Sequence, residues 1–180
     1  MEEPNIKRYP HNPPHIYLDD SYYFITASTL YKRSILITNE SKQILKDIIE
    51  NIVELYNFLL IAWVILPNHY HLLLKTGIGN YLPEIFRKIH SKSTVRINKI
   101  LDKSVKIWYN YWDECVRNED SLYKHFNYIH MNPVKHGYVK KPEDYDFSSY
   151  KSYLFEKGQE WIDDVFRRFP IIDFSKYDDF

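Results

Sequence analysis

The residues of this chain best suited to chemistry fall in two short stretches. The first is His69-Tyr70-His71. Alternate side chains on a strand share a face, so two histidines two positions apart can present imidazoles to one point about 7 Å apart along the chain, with Tyr70 turned to the other side. Imidazole pairs of this kind hold divalent cations, and the same spacing also serves two polar residues on a solvated face. The second is His125, Tyr128 and Asn132, at i, i+3 and i+7, which places all three on one stripe of a helix. The amide oxygen of Asn132 suits a hard cation. The phenol of Tyr128 is a candidate nucleophile, although it is one of 17 tyrosines, most of which serve packing. Lys88, Lys92, Arg96 and Lys99 form a basic stripe suited to phosphates. Trp108, Tyr109, Tyr111 and Trp112, near Lys106 and Arg117, combine aromatic faces with cations. That mixture suits single-stranded nucleic acid and equally suits the packed face of a sheet.

The elements needed to position these groups are readable in order. Residues 21–28, aromatic and β-branched, predict a strand. Thr38-Asn39-Glu40 starts a helix over 40–58, with Ile44, Ile48, Ile52, Leu55 and Leu59 at helical spacing. The apolar run 59–66, the Pro67-Asn68 turn and residues 69–75 predict a β-hairpin that puts the histidines just past its turn. A second helix is predicted over 81–101, with Leu82, Ile85, Ile89 and Ile100 inward and the basic stripe beside them. Residues 107–117 predict a strand. Asp120-Ser121 caps a helix from Leu122 to about Met131, with Leu122, Phe126 and Ile129 inward, ended by Pro133. Turns and a short helix near 159–168 complete the chain. The order β-α-β-β-α-β followed by a helix predicts an α+β fold: a ferredoxin-like split βαβ with one antiparallel sheet, helices packed on it and a C-terminal extension. The 180 residues suit one domain, with an irregular arm over 1–16 and an acidic tail over 151–180 of unassigned role.

Composition excludes several classes. Four glycines, with Gly77-Ile78-Gly79 as the closest pair, give no phosphate-cradling loop. A single cysteine, Cys115, allows neither an internal disulfide nor a cysteine-based zinc site. No apolar run approaches a membrane span of about 20 residues and no signal-peptide plan opens the chain, so a soluble, cytoplasmic protein is expected. The formal net charge is zero but unevenly spread. Residues 75–141 carry 13 basic and 6 acidic side chains, a net of +7, while 142–180 carry a net of −5. A polyanion would dock on the middle segment.

At these residues the sequence resembles a known family. Leu66-Pro67-Asn68-His69-Tyr70-His71-Leu72-Leu73-Leu74 is similar to the M-P-N-H-x-H-L-L-L signature of REP-associated tyrosine transposases. Tyr128-Ile129-His130-Met131-Asn132-Pro133-Val134-Lys135-His136-Gly137 is similar to their Y-I-x-x-N-P-V-[RK]-x-G block. Pro142-Glu143-Asp144-Tyr145 followed by Ser148-Ser149 is similar to the P-E-D-Y-x-x-S-S after it. The resemblance runs from about residue 12 to 150 and extends to the HUH superfamily of single-strand endonucleases. Two departures, Leu66 for Met and Phe147 for Trp, touch no inferred chemistry.

The resemblance implies His69 and His71 as paired metal ligands, Asn132 as the third and Tyr128 as the nucleophile. It implies Mg²⁺ or Mn²⁺ as cofactor, and single-stranded or hairpin DNA as partner. Tyr128 would attack the scissile phosphate, giving a 5′-phosphotyrosine and a free 3′-hydroxyl that can later reverse the step without ATP. His125 is the preferred acid–base candidate, with His130 behind it. Lys88, Lys92, Arg96, Lys99, Arg117 and Lys135 would contact DNA, and the protein would act as a monomer or homodimer. Two other readings stand beside it: a non-catalytic hairpin binder derived from a transposase, and a metal hydrolase using water at His69 and His71. The first does not require the Tyr/Asn pair, and the second lacks an evident carboxylate base.

Overall fold

The structure is a computed structural model and describes residues 17–171. The expected arm over 1–16 and the last nine residues of the acidic tail lie outside the described residues. The elements are β1 (Tyr22–Thr29), α1 (Asn39–Leu55), β2 (Leu59–Ile65), β3 (His69–Lys75), α2 (Leu82–Leu101), β4 (Trp108–Val116), α3 (Glu119–Lys135), α4 (Tyr150–Lys157) and α5 (Gln159–Arg168). The four strands make one sheet in the order β2-β3-β1-β4, every neighbouring pair antiparallel. This is the split βαβ arrangement expected from the order of elements.

The two central strands, β1 and β3, are buried almost throughout, so each has two inward faces with different partners. On one face, Tyr70 and Trp63 meet α2 and α1: the Tyr70 hydroxyl lies 2.9 Å from His90 Nε2, and Lys46 sits over the Trp63 ring. On the opposite face, Phe24 and His71 meet α3 through His125 and Tyr128. Helices therefore cover both sides of the sheet. Alternation along a strand decides which side chain goes to which layer.

Helix boundaries differ from expectation at three places. α1 begins where Thr38 Oγ1 accepts the Ser41 N–H at 3.1 Å, but it ends at Leu55. Asn57 adopts φ 55° and turns the chain into β2, leaving Leu55 68% and Leu59 58% exposed. Leu55 is the last residue of α1 and Leu59 the first of β2, so only Leu59 shares the helical spacing by coincidence. α3 begins earlier than the Asp120-Ser121 signal. Asn118 caps it, its Oδ1 accepting the Ser121 N–H at 2.8 Å, and Glu119 and Asp120 favour the positive end of the helix dipole.

α3 also continues through Pro133 to Lys135. Proline removes one intrahelical hydrogen bond. The turn is retained because Pro133 is buried and the helix ends just beyond it in a closed cap, with the Tyr138 N–H donating to Pro133 O at 2.9 Å and the Gly137 N–H to Val134 O at 2.9 Å. Gly137, at φ +72°, takes the left-handed position such a cap requires. α4 is missing from the expectations, since its pattern is barely amphipathic and Phe155 is 92% exposed, whereas α5 falls at 159–168 as expected.

Residues 145–153 seal the β2 edge of the sheet. The Ile65 N–H donates to Phe147 O at 2.9 Å, the Trp63 N–H to Ser149 Oγ at 3.0 Å, and the Ser149 N–H to Trp63 O at 3.0 Å. The Tyr145 and Tyr153 hydroxyls donate to Ile65 O and Ile61 O at 2.8 and 2.6 Å. The Pro-Glu-Asp-Tyr and Ser-Ser block thus blunts an edge that would otherwise pair with other chains. Ser149 Oγ also lies 2.8 Å from the buried His130 Nε2. Replacing Ser149 with Ala strips a strand N–H and a buried imidazole of their partner, and urea denaturation should show a loss of about 2 kcal/mol.

Candidate active site

His69 and His71 open β3 just beyond the Pro67-Asn68 turn, and their ring centroids lie 5.0 Å apart in an edge-to-face arrangement. α3 runs over the same face of the sheet, packed on β2 and β3. His125 and Tyr128 both rest on Phe24, at ring distances of 4.4 and 5.9 Å, and Tyr128 lies 5.1 Å from the His71 ring. One turn on, Asn132 Oδ1 is 3.3 Å from His69 Nε2. The structure thus brings His69, His71, Tyr128 and Asn132 to one place from segments more than fifty residues apart. They are buried: His71 and Asn132 are 0% exposed, Tyr128 1% and His69 9%.

The other nitrogen of each imidazole is engaged. His69 Nδ1 is 2.7 Å from Asn68 Oδ1, and His71 Nδ1 is 2.8 Å from Thr26 Oγ1, on the β1 residue opposite His71. Both contacts turn the Nε2 edges toward the interior of the site. Partners of this kind commonly orient metal-binding histidines. Neither Thr26 nor Asn68 was marked as functional by sequence reasoning. In the sequence Asn68 has turn chemistry and a place in the Pro-Asn-His-x-His motif but no role of its own, and Thr26 carries no signal until the β1–β3 register is known.

Two imidazoles and one amide oxygen form a donor set suited to Mn²⁺ or Mg²⁺. Among the described residues no three His, Cys, Asp or Glu side chains gather around a common point, so a third donor beside the two histidines would have to be of another type, and the Asn132 amide oxygen is the candidate within reach. The 3.3 Å between Nε2 and Oδ1 is close to the roughly 3 Å edge separating adjacent ligands bound at 2.0–2.1 Å in an octahedral shell. The Asn132 Nδ2 atom is buried with no hydrogen-bond partner, so protein contacts leave the amide's orientation unfixed. The residues present fit a divalent cation.

The remaining candidates separate. Lys135 reaches back over the Tyr128 ring, its Nζ 5.1 Å from the centroid. His136, which follows, lies with its ring 5.1 Å from that of His69 and was not singled out from sequence. His125 donates Nδ1–H to the Ser121 carbonyl at 2.8 Å. His130 points away from the site into Phe126, Tyr150 and Tyr153; burial pushes it down to about 3, which makes it a neutral structural group. Lys88, Lys92, Arg96 and Lys99 lie on α2, across the sheet from Tyr128. Lys88 is tied to Glu84 at 3.1 Å, and Lys92 and Arg96 border a groove between α1 and α2. Arg117 is exposed just before the N-terminus of α3, which lies about 20 Å along the helix axis from Asn132.

A buried sheet with a histidine pair on one central strand, faced by a helix bearing Tyr and Asn, defines a class. The chain matches the family described as "Transposase IS200 like" over residues 17–131. It is 31% identical over 137 residues to the REP-associated tyrosine transposase of Escherichia coli strain K12, spanning 74% of this chain and 79% of that protein. It is 32% identical over 143 residues to a Haemophilus influenzae protein given the same family name, spanning 69% and 81%. A solved REP-associated tyrosine transposase bound to a REP hairpin has the same fold, with a TM-score of 0.72, 24% identity, and coverage of 91% of this chain and 94% of that one. The chain therefore belongs to the IS200-like transposases, among the REP-associated tyrosine transposases. Among the described residues no helix is long and apolar enough to cross a membrane.

The strand carrying the histidines is anchored from behind. The Tyr70 hydroxyl is hydrogen-bonded to His90 Nε2 at 2.9 Å, and the His90 ring stacks on Trp108 at 4.7 Å. Burial pushes His90 down to about 3, so the native state holds it neutral where the unfolded chain, with histidine near 6.5, takes up a proton. Stability from this group is complete above about pH 6.5 and is lost as pH falls toward 3, at up to about 1.4 kcal/mol per pH unit. Urea midpoints measured across that range should fall less steeply for His90→Gln than for the native chain.

Proposed function

We propose that this protein is a metal-dependent single-stranded DNA endonuclease and strand transferase, acting on hairpin-containing DNA through a covalent tyrosine intermediate. The observation that carries the reading is the meeting of Tyr128 and Asn132, one turn apart on α3, with His71 and His69 on β3. The hairpin bound to the solved relative supports hairpin DNA as the substrate class, and the net charge of +7 over residues 75–141 is consistent with a polyanionic partner.

In the proposed step, Tyr128 Oη forms a bond to phosphorus while the bond from phosphorus to the 3′ oxygen breaks. The phenolic proton passes to a base, and the departing 3′ oxygen takes up a proton. The products are a 5′-phosphotyrosine and a 3′-hydroxyl. One phosphoester replaces another, so attack by a second 3′-hydroxyl rejoins strands with no outside energy source. His125 is the proposed base: Nδ1 carries its proton to the Ser121 carbonyl, which makes Nε2 the basic nitrogen. His69, His71 and Asn132 would hold Mg²⁺ or Mn²⁺, whose charge offsets that developing on the phosphate. Lys135, beside the Tyr128 ring, is placed to meet the same phosphate. The α2 stripe and Arg117 would contact flanking DNA away from the chemistry, positioning without reading sequence.

Tyr128 is covered in this conformation, so attack requires α3 or its cover to give way as DNA enters. The test is incubation of labelled hairpin-bearing single strands with Mn²⁺ or EDTA, followed by denaturing gels. A labelled band at the size of the protein is expected with Mn²⁺, absent with EDTA, and reduced by about 10³-fold or more in Tyr128→Phe. Cleavage persisting in that variant would favour water as nucleophile. Tight binding by the native protein with no cleavage would favour a non-catalytic hairpin binder.

A further inference from the structure

We propose that Asn68 is a positioning residue that sets the tautomer of His69, so that Nε2 faces Asn132 as a lone pair. The inference rests on reading His69, His71 and Asn132 as the cation-binding set. The side chain of Asn68 is held at both ends. Its Nδ2 donates to the Lys32 carbonyl at 3.3 Å, and this makes Oδ1 the atom placed 2.7 Å from His69 Nδ1. An amide oxygen only accepts, so Nδ1 must carry the proton, and a neutral imidazole then has its lone pair on Nε2. That nitrogen is the one 3.3 Å from Asn132. Without a cation, the Asn132 amide can turn and donate Nδ2 to it. A bound cation takes the place of that donated proton.

His71 shows why the assignment falls on Asn68. Its Nδ1 partner is the Thr26 hydroxyl, at 2.8 Å, which can donate or accept and so leaves the tautomer undetermined. Only the amide, oriented from its far end, is directional. The support behind it is also built. Tyr31 and Lys32 occupy the left-handed region at φ 60° and 50°, a strained conformation for residues with side chains. This turn brings the Lys32 carbonyl to Asn68. Thr29 fixes the backbone of Asn68, its N–H donating to Asn68 O at 2.9 Å, while its hydroxyl donates to the Arg33 carbonyl of the turn at 2.6 Å. Arg33 ties the turn to the segment just before β4 by donating to Lys106 O at 2.8 Å. Strain of this kind persists where surrounding contacts over-determine it, and here it serves one carbonyl on one amide.

The test uses the full chain labelled with ¹⁵N-histidine, free of metal, at about pH 8 where imidazole is neutral. Long-range ¹H–¹⁵N correlation should show His69 protonated on Nδ1, and Asn68→Ala should move it toward Nε2. Mn²⁺ binding followed by electron paramagnetic resonance should weaken about 10–100-fold in Asn68→Ala. It should recover in Asn68→Asp, whose carboxylate accepts the same proton. His69→Ala serves as the control and should abolish binding. His69 protonated on Nε2 in the native chain overturns the proposal. So does Mn²⁺ binding unchanged by Asn68→Ala where His69→Ala abolishes it. Binding unaffected by His69→Ala instead overturns the cation reading, and the metal-free spectrum then decides the role of Asn68 alone.

Discussion

The packing of α3 across β2 and β3, with its Tyr128 face pressed onto His71 and onto Phe24 of β1, is the contact on which the site depends. A helix lying on a sheet presents residues one turn apart to points about 5–6 Å apart on the strands beneath. Tyr128 therefore reaches His71 while Asn132 reaches His69. The length of α3 beyond Pro133 completes the arrangement. Had the helix stopped before the proline, Asn132 would sit in irregular chain, and Lys135 would have no fixed path back to the Tyr128 ring. The buried proline costs one backbone hydrogen bond, and the cap closed by Gly137 compensates within the following turn.

Several features distant from the chemistry serve to hold that contact in place. Asn127, on α3, donates to the Phe169 and Val165 carbonyls at 2.7 and 3.2 Å and so fastens the end of α5 to the back of the helix. Ser149 links the β2 edge to His130, also on α3. The described part of the C-terminal extension thus clamps the tyrosine helix to the sheet edge. Polar groups are buried on this side of the molecule at a density that an apolar core would not tolerate unless most were paired. Tyr70 plays the complementary part from below, joining the histidine strand to α2.

The distribution of charge follows from the same layering. Alternation sends His69 and His71 to the α3 side and Tyr70 to the α2 side, so a basic stripe on α2 is separated from the tyrosine by the thickness of the sheet. Segment charge in the sequence, +7 over residues 75–141, cannot reveal this, because one stretch of chain contributes to both layers. Lys135 and Lys88 read alike as cations in the sequence. One ends beside the phenol, and the other is paired with Glu84 on the far layer.

What the sequence determined by itself was local and periodic. Period-two alternation put both histidines on one face, helical spacing put Tyr128 and Asn132 one turn apart, and the order of elements gave the sheet. These depend only on backbone geometry, which each segment carries within it. The tertiary structure alone decided which sheet face α3 covers, that α3 outlasts Pro133, that residues 145–153 seal β2, and that Asn68 and Thr26 stand behind the imidazoles. Each of these is set by contacts between segments distant in the chain, where burial and hydrogen-bond satisfaction outweigh local preference, and no single window of sequence contains both partners.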